Sequence, residues 1–124
     1  MERTNFEKLQ VYQLSEKIAD NVWNIVVTWS PFARDTVGKQ IVRAADSIGA
    51  NIAEGSGRGS LVDNRRFVRM ARGSLYETLH WLRRSYMRKL LSQSEVKKLR
   101  ELVQELSPKL NAFLRSVDQR AMAK

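Results

Sequence analysis

Three stretches of the 124-residue sequence hold residue types that can do chemistry: "EGSGRGS" at 54–60, "ETLH" at 77–80, and a run of arginines from Arg58 to Arg88. The first sets glycines and an arginine beside a helix-like segment, a setting in which phosphate is often held. A Walker loop needs G-x-x-x-x-G-K-[ST] between a strand and a helix, and a dinucleotide fingerprint needs G-x-G-x-x-G in the same context. This stretch has neither spacing, lacks the lysine and follows a helix. It reads as a chain reversal, with Gly55 as a left-handed C′ residue after the second helix. Arg58 and the first amides of the third helix are still able to receive one phosphate there.

In "ETLH", Glu77 and His80 have the Glu-x-x-His spacing of carboxylate-bridged di-metal bundles. Such a site needs a second copy of the motif and two further inward glutamates. The chain has one histidine, and helical projection turns His80 toward solvent. No His-activated serine, no paired acid and base and no cofactor motif can be assembled from the rest. The sequence therefore predicts a protein without catalytic residues, metal, cofactor or small-molecule substrate.

The arginines are the stronger signal. The chain carries 22 Lys plus Arg against 13 Asp plus Glu, a formal net charge of +9. Residues 58–91 hold nine basic and two acidic groups, so most of the excess lies in one segment. Arginine dominates it, and its planar fork suits phosphate oxygens. A charge run is often only a solvated face. A concentrated arginine stripe points instead to a polyanion.

The elements that must position these groups are helical. Apolar residues recur at helical spacing and nothing alternates like a strand. The first helix is expected over about Phe6 to Thr28, ending before Pro31. The second is expected to open at Asp35 as N-cap and run to about Glu54. Ser60 and Ser92 open the third and fourth, each with an acid three residues on, and Pro108 should kink the fourth. Short loops between neighbours make an all-α, antiparallel up-down-up-down four-helix bundle the economical fold, in one domain over 1–124.

Projection at 100° per residue assigns faces. The third helix gathers Arg65, Arg69, Arg72, Tyr76, His80 and Arg83 within about 80°, flanked by Arg66, Arg84 and Arg88. Phe67, Ala71, Ser74, Leu75, Thr78, Leu82 and Tyr86 fall on its far side, which is expected to face the core. From Arg65 to Arg83 the stripe is about 27 Å long, enough for several backbone phosphates. On the second helix, Arg43 and Glu54 lie away from the core face and call for partners on other helices. The first helix shows two apolar stripes, the second formed by Leu9, Tyr12, Trp23 and Val27. That is more apolar arc than a single bundle covers, so self-association is expected.

At this point the residues resemble a known family, the four-helix-bundle proteins encoded in intervening sequences of bacterial large-subunit ribosomal RNA. The resemblance rests on "FEKLQVYQLSEKI", then "QIVRAADSIGANIAEG", "GRGS" and "FVRMARGSLYE", and covers nearly the whole chain. "SPFARD" replaces the family's usual Phe-Pro-x-x-Glu, and Pro108 interrupts the fourth helix. The resemblance implies a homopentamer, a ring related in fold to the accessory protein of diversity-generating retroelements. That relative is basic and engages nucleic acid and reverse transcriptase. Arg43, Ser47, Asn51, Glu54 and Gly55 carry over as signature positions with packing and polar-bonding roles.

Two classes of function follow. The first is a non-enzymatic, oligomeric nucleic-acid-binding protein, RNA preferred over DNA, with Arg58, Arg65, Arg66, Arg69, Arg72, Arg83, Arg84 and Arg88 on phosphates. The second is a protein–protein adaptor whose basic face docks an acidic partner. No cysteine, no apolar leader and no apolar run approaching the roughly 20 residues of a bilayer span give the expectation of a cytoplasmic protein without a membrane partner.

Overall fold

The computed structural model describes residues 1–123. Four long helices account for most of the chain: α1 (Gln10–Val26), α2 (Lys39–Ser56), α3 (Leu61–Met87) and α4 (Gln93–Met122). Each packs on two neighbours in the cyclic order α1–α2–α3–α4, as short reversals between antiparallel helices require. The α1–α2 and α3–α4 seams therefore lie on opposite sides of the bundle. One core runs through it, with Ile18, Ile41, Ile48, Ile52, Leu75, Leu99, Leu106 and Leu110 essentially sealed from solvent.

The beginning of the chain departs from the expected first helix. Phe6–Lys8 form a single 3₁₀ turn, and Leu9 is extended before α1 begins. Of the second apolar stripe, Leu9 and Tyr12 pack against the core, and Phe6 closes edge-on over Tyr12. Trp23 and Val27 remain open to solvent, and so does Phe32 in the following turn.

Asp35 does not cap a helix. The chain turns helical at Pro31, whose fixed φ is pre-set for a first helical position. It continues through a π-helical segment, Arg34–Gly38, directly into α2. The wide π turn brings Gly38 against α1, where a Cβ would meet Val26 Cγ1 at 2.7 Å.

Gly55 is likewise not a left-handed terminator. It is buried inside α2, which ends only at Ser56, and among the described residues no glycine has positive φ. Its role is closeness. A Cβ at Gly55 would lie 2.7 Å from Asn64 Oδ1 and 2.9 Å from Phe67 Cβ, so the missing side chain lets α3 cross tightly. Asn64 Oδ1 is buried in this contact with no hydrogen-bond partner among the described residues.

The two later helix starts form as the serines predict. Ser60 Oγ accepts from the Asp63 amide at 3.1 Å. Ser92 and Glu95 make the full reciprocal capping box. The left-handed turn of the fold is supplied instead by Lys89, at φ 63°, between α3 and α4. Pro108 sits within α4, which continues as helix on both sides of it.

Candidate nucleic-acid interface

The basic residues of α3 do not lie opposite the core, as helical projection alone suggested. The core face of α3 is Val68, Ala71, Leu75, Thr78, Leu82 and Ser85. The stripe from Arg65 to Arg83 flanks that face on the side of α4, and Arg65 and Arg72 are half-buried. The fourth helix supplies the reason: once it packs beside α3, one edge of the stripe becomes part of the seam. Tyr86 was expected to face the core, but it lines this seam and is 41% exposed. Phe67 and Ser74, placed on the same side, are half-buried on the α2 edge.

Ion pairing divides the arginines into two groups. Toward the start of α3 they are paired with carboxylates, two of them sharing one acid. Arg65 Nε and Arg69 Nη2 lie 3.6 and 3.4 Å from the same Asp118 oxygen on α4. Arg66 lies 3.8 Å from Asp63, and Arg58 lies 2.6 Å from Glu54. Arg58 and Arg66 also hold their guanidinium groups 4.8 and 4.9 Å from the centre of the Phe67 ring. The predicted phosphate receptor at Arg58 is thus turned back onto the protein.

From Arg72 onward the arginines of α3 are unpaired among the described residues. Arg72, Arg83, Arg84 and Arg88 make no ion pair with any described residue. An anion arriving at these cations has no described carboxylate partner to displace. Arg84 also lies in the last turn of α3, where the helix dipole favours a cation.

The neighbouring seam is open here. A groove of about 690 Å³ runs between the second half of α3 and the first half of α4, with Leu79, Leu82 and Val96 among its apolar lining. Arg83, Lys97 and Arg100 stand along it, and the sequence had not singled out the last two. Lys97 and Arg100 follow Val96 on α4 at spacings that put all three on one side of a helix, a signal that was present but unweighted.

The opposite seam, α1–α2, is acidic. Glu16, Asp20 and Asp46 line a smaller hollow there. Burial, and next the Asp20 charge, push the Asp46 carboxyl above its usual range. Arg3 reaches across to Glu16 at 3.0 Å. A polyanion therefore meets attraction on the α3–α4 side and repulsion on the α1–α2 side.

The signature residues of α2 are structural in their contacts. Ser47 Oγ donates to the Arg43 carbonyl at 2.7 Å. Asn51 Nδ2 donates to the Ser47 carbonyl at 2.9 Å and across to Ser74 Oγ on α3 at 3.4 Å. Glu54 finds its partner locally, in Arg58, and not on another helix. Arg43 is exposed and pairs with no described carboxylate, so the expected cross-helix partner is missing for it too.

Glu77 and His80 both contact Trp81. Glu77 accepts from Trp81 Nε1 at 3.2 Å, and the exposed His80 ring packs edge-on against Trp81 with centroids 4.8 Å apart. Among the described residues no three of His, Asp and Glu gather as a metal site. No described helix is long and apolar enough to cross a membrane.

Fold and surface together define a basic, all-helical four-helix-bundle protein with charge segregated between two seams. The chain belongs to the 23S rRNA-intervening sequence protein family, whose model matches residues 7–112. A solved structure of similar fold is a protein with unknown function from the S23 ribosomal protein family of Bacteroides thetaiotaomicron VPI-5482. The two superpose with a TM-score of 0.74 at 23% sequence identity, covering 84% of this chain and 97% of that one. No curated protein matches significantly.

Proposed function

We propose that this protein is a non-enzymatic, oligomeric nucleic-acid-binding module of the cytoplasm that holds single-stranded RNA on its α3–α4 side. The observation that carries this reading is the unpaired Arg72 and Arg83 on the α4 side of α3, across the bundle from an acidic seam. Phosphate contacts by arginine position a strand without reading its bases, so weak sequence preference is expected. The preference for RNA draws on the family's association with 23S rRNA intervening sequences. The exposed Trp23, Val27 and Phe32 support assembly of several copies, a pentameric ring by resemblance.

The test compares two double variants in salt titrations with a single-stranded oligoribonucleotide. Arg72→Gln with Arg83→Gln removes two free cations on the α4 side of α3, and Lys98→Gln with Arg120→Gln removes two exposed cations of α4 outside the groove. Each lost phosphate contact should flatten the slope of log K against log salt by about 0.7, so the first pair should flatten it by about 1.4. The second pair should leave it nearly unchanged. Equal effects would reduce the basic face to generic charge. No measurable binding by the parent protein would favour an adaptor docking an acidic protein partner.

A further inference from the structure

We propose that the α3–α4 groove is a base pocket, taking one nucleobase of a single strand against Tyr86 over a floor of Leu82 and Val96. This deepens the nucleic-acid reading and rests on it. Phosphates alone need only a flat basic surface. Here the free cations border a concave, largely apolar trough of about 690 Å³. Roughly 300–1,000 Å³ is the size range of small-molecule pockets, and a base with its sugar fits well within it.

The lining offers groups for a base face, a base edge and the flanking phosphates. Tyr86 offers an aromatic ring that is 41% exposed, beside Leu82, which is 5% exposed and forms a firm base to the trough. A base laid on that ring covers apolar surface that no helix of the bundle covers. Every base has a π-face, so such stacking adds affinity without demanding a sequence. Arg83, Lys97 and Arg100 lie along the same groove and offer cations to the phosphates that flank an inserted base. None of the three pairs with a described carboxylate. Gln93 and Gln104 carry amide donors and acceptors for a base edge. Glu101, the one carboxylate of the lining, repels phosphate but accepts from an exocyclic amine. That charge pattern favours an amino-bearing base inside and phosphates at the rim.

The experiment measures binding of the full chain to a short oligoribonucleotide and to an abasic strand with the same number of phosphates. The intact strand should bind about tenfold more tightly than the abasic one. Tyr86→Ala should abolish that difference and Tyr86→Phe should keep it, with circular dichroism confirming the helical fold of both. Val96→Trp, which fills the trough from α4, should abolish the difference independently. Equal affinity of the parent protein for the two strands overturns the base pocket while leaving phosphate binding by the arginines intact. Failure to bind either strand overturns both readings. A change of oligomeric state on Val96→Trp, with RNA affinity unchanged, marks the groove as a contact between copies and also overturns the proposal.

Discussion

Arg69 of α3 donates to Asp118 of α4 at 3.4 Å, a bond between residues 49 positions apart in the chain. The same carboxylate oxygen lies 3.6 Å from Arg65 Nε. One acid thus occupies two of the arginines that the sequence offers to phosphate. Asp118→Asn should release both. Affinity for single-stranded RNA is expected to rise, and the slope of log K against log salt to steepen by about 0.7 for each arginine that gains a phosphate. An unchanged slope in a salt titration would place the bound strand wholly on the second half of α3.

Two glycines should respond to alanine in opposite directions. At Gly55 a Cβ has no room, because Asn64 and Phe67 stand within 3 Å of its position. Gly55→Ala must push α3 outward and should cost about 1–3 kcal/mol, as overpacking does. At Gly73, in the exposed middle of α3, a Cβ meets nothing within 4 Å. Gly73→Ala should stabilise by about 0.5–1 kcal/mol through helix propensity. Urea unfolding of the two variants checks the pair, and a loss at Gly73 would mean that its open surface is covered in the assembled protein.

Asn51 joins α2 to α3 through Ser74. Asn51→Leu breaks that bond and leaves the Ser74 hydroxyl with its own helix carbonyl, Met70 O at 3.1 Å, as partner. Because Ser74 keeps that bond, the expected loss is near 1 kcal/mol and not several. RNA affinity should stay the same. Thermal melting beside a binding titration separates the two outcomes, and lost binding at an unchanged melting temperature would assign Asn51 to the interface.

Trp23 is 56% exposed, with Val27 at 50% one turn further along α1 and Phe32 at 81% in the turn that follows. We propose that these exposed apolar side chains are contacts between copies. Trp23→Glu should shift the protein to a smaller species in light scattering or sedimentation, with its helical content retained. A parent protein already monomeric at micromolar concentration would end the idea of assembly through this patch.

The helices themselves were legible in the amino-acid sequence. Local chemistry decides them: Ser60 and Ser92 bind amides three residues on, and apolar residues at helical spacing specify one buried face. The excess of arginine over residues 58–91 was equally plain. Gly55 shows where local reasoning stops. A glycine near a helix end suggests a left-handed cap, and only the crossing of α3 reveals that its missing Cβ serves close approach. Asp35 and Tyr86 were misplaced for related reasons, the one because Pro31 starts the helix earlier, the other because its face depends on where α4 lies. The candidate site divides in the same way. Periodicity puts Arg65 to Arg88 along one helix, since that depends only on 3.6 residues per turn. Arg58 and Arg66 pair with acids three or four residues away, but Arg65 and Arg69 are held by Asp118, a residue of another helix brought alongside by packing. Side-chain type and spacing determined the charge and the helices; the neighbouring helix decided that Arg65 and Arg69 are paired and that Arg83 borders an open groove.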